Sequence, residues 1–316
     1  MKLARFIILF ITTFLFQQNL MAETWDEPWQ KEILKKADYF VLAKVLAKGD
    51  TPEAEIEVVK SFGDKSLKGK VKIAGFYMLN MRSASGHGLH LPLKAGATYY
   101  LLLKKGEKGN YSLPTPTSGY AFLDSGNVHA TYRHSYHQAL VPQEVYENTY
   151  SQIWSYFRTG KYENSKIADF IKANLAKAPA GFEEQEIATF FLQHVAMETA
   201  YLLDKEIPLQ TVRKFIETEH FHSRVSALRL LSNTISAEVA KYLYNFIMED
   251  GNDNFEKVTA IQSLWKVGGT EYRNKLLAIQ EELSDEETGF GGNIMDPRVA
   301  THFPSPRGAV AELNKR

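Results

Sequence analysis

One short pattern occurs twice in the chain, 33 residues apart, and constrains the fold more than any other feature. Residues 224–228 read Arg-Val-Ser-Ala-Leu, residues 257–261 read Lys-Val-Thr-Ala-Ile, and a leucine follows three residues after each block. This pattern suits the buried face of a helix in a stack of helix pairs, because its alanine keeps neighbouring helices close. The repeat therefore predicts such a stack, and helix stacks serve mostly as binding surfaces.

Helical periodicity surrounds the two copies and extends over residues 143–283. Pro208 lies where a first-turn proline is expected, and Gly268-Gly269 interrupts the last helix pair. The segments with apolar residues at helical spacing, each expected to form a helix, are 144–156, 165–173, 186–203, 222–231, 237–248, 255–265 and 271–283.

This half of the chain resembles HEAT-type helical repeats. The two best copies cover about residues 222–250 and 255–283, and the pairs that precede them from about residue 165 are degenerate. The resemblance implies a helical repeat domain that offers an extended surface to a protein partner, and it names no ligand. The paired core positions that carry it are Val225 and Val258, Ala227 and Ala260, and Leu231 and Leu264. The basic residues expected on a solvated face, or along one binding surface, are Arg224, Arg229, Lys241, Lys257 and Lys266.

Residues 39–113, which precede the helices, show the two-residue periodicity of apolar side chains that is typical of strands. Residues 54–58 alternate apolar and acidic side chains, residues 71–73 alternate in the same way, and residues 99–103 form a continuous apolar run. Glycine-containing turns separate these runs, and no helical pattern lies between them. The pattern predicts a small antiparallel β-barrel or sandwich within residues 23–142, so the chain as a whole is expected to be α+β.

The order of these strands carries a second resemblance. An Ala-Lys-Val strand at 43–45, an alternating strand at 56–62, a Gly-Lys-Val strand at 69–71 and an entry at 93–101 follow one another. This order resembles the netrin and tissue-inhibitor-of-metalloprotease module, which is an OB-type barrel. Inhibitors of that family use an N-terminal cysteine to reach a metal, and this chain has no cysteine. The resemblance therefore implies the barrel shape alone.

The N-terminus has the layout of a secretory signal peptide. Lys2 and Arg5 precede an apolar run over residues 6–16, and Ala22 offers a small residue at a cleavage site. The run is shorter than the roughly 20 residues that span a bilayer, although an uncleaved anchor is the alternative. Without cysteine the chain carries no lipid anchor and no disulfides, so we expect a periplasmic or secreted protein. No stable membrane insertion is expected.

Overall charge gives no support for a nucleic-acid ligand. The formal net charge is zero, and removal of residues 1–22 takes away Lys2 and Arg5 but no acid. The mature chain is then weakly acidic, whereas nucleic-acid-binding domains show a basic excess or stripe. We expect no nucleic-acid partner.

Two stretches lack regular periodicity. Residues 75–98 form a long insertion in the β-rich half, which is either a solvated loop or a place for binding groups. Residues 284–316 are polar, contain three prolines and several glycines, and are interpreted as a tail. The sequence thus divides into a signal peptide (1–22), a β-rich domain (23–142), a helical repeat domain (143–283) and a polar tail.

Three histidines between the two halves are the best candidates for a metal site. The spacing of His134 and His137 places two imidazoles on one side of a turn, His129 is close by, and neutral imidazole is a common ligand of borderline metals. His87 and His90 of the long insertion could complete the set. No cofactor is expected, and a divalent metal bound by these histidines is the alternative to structural roles for them.

Other catalytic signatures are weak in this sequence. His194 and Glu198 share a helix face and suit either a metal pair or a buried hydrogen bond. A Gly-x-Ser-x-Gly elbow and the glycine-rich phosphate loops do not occur, and a cysteine nucleophile is excluded. We therefore expect a non-enzymatic binding or scaffold protein with a protein partner. The alternatives are a metal-binding protein or metal-dependent hydrolase centred on His129, His134 and His137, and a protease inhibitor based on the barrel.

Overall fold

The structure is a computed structural model, and it describes residues 25–48, 53–75, 93–106, 109–115, 117–290 and 299–315. The expected signal peptide and the candidate ligands His87 and His90 lie outside these residues. The strands are β1 (Trp25–Asp26), β2 (Tyr39–Lys48), β3 (Glu53–Phe62), β4 (Gly69–Ala74), β5 (Thr98–Lys105), β6 (Tyr111–Ser112), β7 (Tyr120–Asp124), β8 (Asn127–Ala130), β9 (Ala139–Pro142), β10 (Thr288–Phe290) and β11 (Val299–Phe303). The helices are α1 (Gln30–Lys36), α2 (Gln143–Thr159), α3 (Asn164–Ala176), α4 (Ile187–Leu202), α5 (Leu209–Ile216), α6 (Phe221–Leu230), α7 (Ala237–Met248), α8 (Asn254–Val267), α9 (Gly269–Ala278) and α10 (Pro306–Asn314).

Five strands, β2 to β6, close into a barrel, which confirms the barrel prediction. The order around the barrel is β2-β3-β4-β6-β5, and β5 pairs again with β2. All neighbours are antiparallel except β4 and β6, which are parallel. Alternation along the strands points one set of apolar side chains into the barrel. This buried set includes Val41, Ala43, Val45, Ile56, Ile73, Leu101 and Leu103.

The sheet continues beyond the barrel and leads into the helices. Strand β7 pairs with β5, β8 pairs with β7, and β9 pairs with β8, all antiparallel. Helix α2 begins at Gln143, directly after β9. On the outer side of β2, Phe40 stacks on Phe62 with ring centroids 4.5 Å apart, and it lies 6.0 Å from Trp154 of α2. Trp154 also donates a hydrogen bond of 3.1 Å from its indole nitrogen to the carbonyl oxygen of Phe62. One continuous core therefore crosses the boundary expected at residue 142.

Helices fill the rest of the described chain, and the expected helices over residues 143–283 are all present. The structure is thus of the mixed α+β class. Helix α4 contacts α6, α6 contacts α8, and α3, α5, α7 and α9 pack on the outside of this row. The repeated Val-x-Ala pattern lies in α6 and α8, where Val225, Ala227, Val258 and Ala260 are all fully buried. The pattern therefore marks the faces on which these helices stack, as its alanines require.

The interpretation of residues 284–316 as a polar tail is wrong for their described part. Strand β11 pairs in parallel with β1 and antiparallel with β10, and α10 packs on α8. The hydroxyl of Ser305 caps α10, and Val299, Phe303 and Val310 are buried. The segment folds because its few apolar residues alternate along β11 and then share one face of α10, a signal too short to detect against its glycines and prolines.

Candidate functional site

A cleft in the described structure lies between α1, helices α4, α6 and α8, and the C-terminal segment. Its volume is about 710 Å³. Trp29, Tyr201, Phe303 and Leu313 supply apolar wall, and Arg229 lies among them. The remaining lining residues are Lys31, Glu32, Ser232, Thr259, Gln262, Ser263, Lys266, His302, Pro304, Ala309 and Glu312.

Arg229 packs between two aromatic rings in this cleft. Its guanidinium carbon lies 4.4 Å from the centroid of the Trp29 ring and 4.4 Å from that of Tyr201, so two aromatic rings contact one cation. Only 8% of the residue is exposed. The repeat explains its place, because Gln262 of α8 occupies the position 33 residues later and lines the same cleft. The expectation of a solvated Arg229 is therefore wrong.

The acid nearest to Arg229 is shared with a second arginine. Glu198 of α4 is fully buried, and its carboxylate oxygens lie 3.7 Å from Arg133 Nη1 and 3.8 Å from Arg229 Nη1. Both distances are too long for hydrogen bonds, and neither Arg229 Nη1 nor Glu198 Oε2 has a hydrogen-bond partner among the described residues. Burial lowers the pKa of Arg229, but Glu198 and Tyr201 outweigh it and raise the pKa, so this arginine stays charged.

A second carboxylate that is shared by two cations lies at the edge of the cleft. Lys31 and Lys266 both lie near Asp204, with distances from Nζ to Oδ1 of 3.1 Å and 3.9 Å. Across the described structure, therefore, the four cations Lys31, Lys266, Arg133 and Arg229 share the two carboxylates of Asp204 and Glu198. The cleft lining itself contains the three cations Lys31, Arg229 and Lys266 and the two acids Glu32 and Glu312, so its positive excess is one charge.

The nearby cations affect the pKa of the Tyr201 hydroxyl. Burial by itself raises the pKa of a phenol. The pKa of Tyr201 is nevertheless lowered, because the charge of Arg229, a hydrogen bond with Arg229 and the charge of Lys31 together outweigh burial. The lowered pKa agrees with a positive potential at the Tyr201 hydroxyl.

A buried polar network lies behind Arg229. The hydroxyl of Ser226 donates to Glu198 Oε1 at 2.7 Å and accepts from Arg133 Nη1 at 3.1 Å. Because a hydroxyl has one proton, His194 Nδ1, 3.2 Å away, must donate to Ser226 rather than accept. Arg133 Nη2 donates to His222 Nδ1 at 2.8 Å, which fixes the His222 proton on Nε2.

His194 and Glu198, whose spacing suited a metal pair or a buried hydrogen bond, thus both bind the hydroxyl of Ser226. His194 donates to it from Nδ1, and Glu198 accepts from it. Their shared helix face therefore serves a hydrogen-bonded link between α4 and α6.

The three candidate metal ligands do not come together. His129 lies on β8 against the ring of Phe122, whereas His134 Nε2 donates to the carbonyl oxygen of Glu27 at 2.7 Å. The other nitrogen of His134 accepts from Thr301 and from a backbone N–H, so it has no lone pair left for a metal. Among the described residues no three His, Cys, Asp or Glu side chains form a group that could hold a metal ion.

His137 instead joins a different pair of histidines. Its ring stacks on His222 with centroids 3.9 Å apart and meets His194 edge-on at 4.3 Å. Burial lowers the pKa of all three, to about 3 for His222, and burial lowers that of His134 to about 4. These rings are neutral packing elements near neutral pH, a role that sequence spacing does not separate from ligation.

Sequence reasoning missed three main features of the cleft: Trp29, Tyr201 and the buried state of Arg229. The one local signal for the arginine is that Leu228 and Leu230 flank it in sequence. The two rings come from distant parts of the chain, and no local pattern links them.

A comparison of the chain with family models, curated proteins and solved structures finds no match. In the part of the chain that the structure describes, none of the helices combines the length and the apolar character that crossing a bilayer requires.

Proposed function

We propose that this chain is a non-enzymatic binding protein whose cleft receives a segment of a protein partner. The observation that carries the proposal is a cleft of about 710 Å³ with aromatic walls and a buried arginine fixed between two rings. Concave sites with apolar walls and a few well-placed polar groups are typical of ligand binding. The metal-dependent alternative at His129, His134 and His137 has no observation in its favour.

The two halves provide the scaffold for this role. We assign the helical half to the HEAT type, which is supported by the row α4–α6–α8 and its outer layer of α3, α5, α7 and α9. We assign the barrel to the OB type, supported by its five strands and by the parallel pairing of the third and fifth. The repeat sets the cleft wall, because positions 229 and 262 are equivalent in the two copies.

We further propose that the protein is exported to the periplasm or secreted. The basic start, apolar run and small residue over positions 1–22, with the lack of cysteine, support this proposal. N-terminal sequencing of the protein from its native host tests it: a mature chain that begins near residue 23 is expected, and a chain that retains Met1 contradicts export with cleavage.

Site-directed photo-crosslinking tests the binding function. A photoreactive amino acid replaces Gln262, which is exposed in the cleft, and in a control it replaces Glu238, which is exposed on α7. The proteins are irradiated in their native compartment, and adducts are identified by mass spectrometry. One dominant partner that is crosslinked from position 262 and not from position 238 is expected. Equal labelling from both positions contradicts a role for the cleft.

A further inference from the structure

The cleft has a binding group that is already fixed in place. Arg229 is buried between two rings, its Nη1 has no hydrogen-bond partner among the described residues, and Glu198 is 3.8 Å away. A guanidinium binds carboxylates through two parallel N–H donors, and little rotamer entropy is lost when the arginine is already immobilised. Arg229 thus places a fixed positive charge in the cleft wall, while its buried Nη1 lies on the side of Glu198.

The nearby acids do not neutralise the site. Asp204 and Glu198 are already shared between four cations. Of the two acids in the cleft lining, Glu32 accepts a hydrogen bond of 2.8 Å from Lys35, and Glu312 is exposed. The lowered pKa of Tyr201 agrees with a positive potential where its hydroxyl lies.

The lining favours a carboxylate over a phosphate. Phosphate sites gather several donors around one anion, usually hydroxyls, backbone N–H groups and more than one cation. Here the hydroxyls of Thr259 and Ser263 donate to the carbonyl oxygens of Phe255 and Leu228, both at 2.9 Å, and are already used. Arg229 lies among apolar walls, and Lys31 and Lys266 lie at the edge of the cleft, so this lining suits separate carboxylates flanked by apolar groups.

The apolar walls indicate what accompanies this carboxylate. Trp29, Phe303 and Leu313 line the same cleft as Lys31 and Lys266. A segment in which apolar and acidic side chains alternate would bury the first against the walls and direct the second to the cations. Such a segment is complementary in charge and in polarity to the lining.

We propose that the cleft binds an acidic, extended segment of a partner protein, with one glutamate or aspartate side chain paired to Arg229 and a second near Lys31 and Lys266. This inference rests on the proposed binding function and adds the chemistry of the ligand. Arg229 is the anchor, Trp29 and Tyr201 hold it in place, and the lysines select for a second negative charge.

Peptide binding to the full mature chain tests the proposal. The probe is a fluorescent peptide, acetylated and amidated at its ends, in which leucine and glutamate alternate. A matched peptide has glutamine in place of every glutamate. We expect the glutamate peptide to bind at least tenfold more tightly, and we expect its affinity to fall as salt concentration rises.

Substitutions in the cleft test which residues produce the preference for the glutamate peptide. Arg229→Gln is expected to reduce the preference for glutamate to less than threefold, and Lys266→Gln to weaken binding of the glutamate peptide alone. The Lys266 side chain is half exposed, so we expect its substitution to leave the fold intact, and this variant covers the case in which Arg229→Gln unfolds. Arg213→Gln is the control, because Arg213 pairs with Glu217 on α5 and lies outside the cleft.

The outcomes separate this inference from the proposed function. If both peptides bind equally, or neither binds, or free phosphate displaces the glutamate peptide at equal concentration, the acidic-segment proposal is wrong. The partner crosslinked from position 262 would still support the binding function in each of these cases. If the glutamine peptide with a free C-terminal carboxylate binds as tightly as the capped glutamate peptide, the proposal is also overturned.

Discussion

Replacement of Glu198 by glutamine is the sharpest test of the buried network. The change keeps the size of the side chain and an oxygen that can accept from Ser226, but it removes the charge between Arg133 and Arg229. In the wild-type chain these arginines lie 3.7 Å and 3.8 Å from the carboxylate. The variant leaves two buried guanidinium groups without an acid among the described residues.

The magnitude follows from these distances and from burial. At an effective dielectric constant of about 20, each pair contributes roughly 4 kcal/mol of attraction. The desolvation of the carboxylate, which costs several kcal/mol, is relieved by the change and offsets part of the loss. The expected loss of unfolding free energy is therefore about 3–5 kcal/mol, the range seen when one partner of a buried ion pair is removed.

Urea unfolding at pH 7, followed by circular dichroism, measures this loss as a shift of the midpoint to lower urea. The matched control is Glu217→Gln, which removes an acid 2.6 Å from Arg213. Both members of that pair are more than half exposed, so the control midpoint should not change although the distance is shorter. Equal small shifts in both variants would refute the reasoning, because they would mean that water screens Glu198 as it screens a surface acid.

Three further predictions concern stability. Replacement of Trp154 by alanine should lower the free energy of unfolding by about 3–5 kcal/mol. The change removes a buried ring and its hydrogen bond to the Phe62 carbonyl, which together join the barrel to α2. Differential scanning calorimetry checks this, and an unchanged melting temperature would contradict a shared core. The variant Ser236→Ala should lower the free energy of unfolding by about 1 kcal/mol, because the Ser236 hydroxyl caps α7 by accepting a hydrogen bond of 3.1 Å from a backbone N–H. Urea midpoints measure this loss, and Ser236→Asp, which restores an acceptor, should recover most of it. Stability should fall as the pH drops below about 6.5, because the folded-state pKa of His134 is lowered to about 4 and that of His222 to about 3, so that the unfolded chain takes up their protons first. His134 alone should contribute a loss of about 1.6 kcal/mol between pH 6.5 and pH 5. A flat stability profile over this window, before most carboxylates titrate, would contradict the buried neutral state of these rings.

Local structure was largely accessible from the chain itself. The alternation over residues 54–58 and 71–73 predicted strands β3 and β4, and the apolar spacing of residues 237–248 predicted α7 with its bounds. These patterns are reliable because a strand or helix that buries one face must repeat its apolar residues at the period of that element. The same reasoning placed Val225 and Val258 on buried faces before any contact was known.

The sequence by itself therefore determined the elements, their buried faces and the closeness of packing that the alanines permit. Only the tertiary structure decided that Trp29 and Tyr201 enclose Arg229, that His137 meets His194 and His222 rather than His129, and that the C-terminal residues complete a cleft. The physical reason is that periodicity records which face of an element avoids water, whereas the site depends on which distant elements meet. That choice is made by packing and charge pairing over the whole chain, and no window of local sequence contains it.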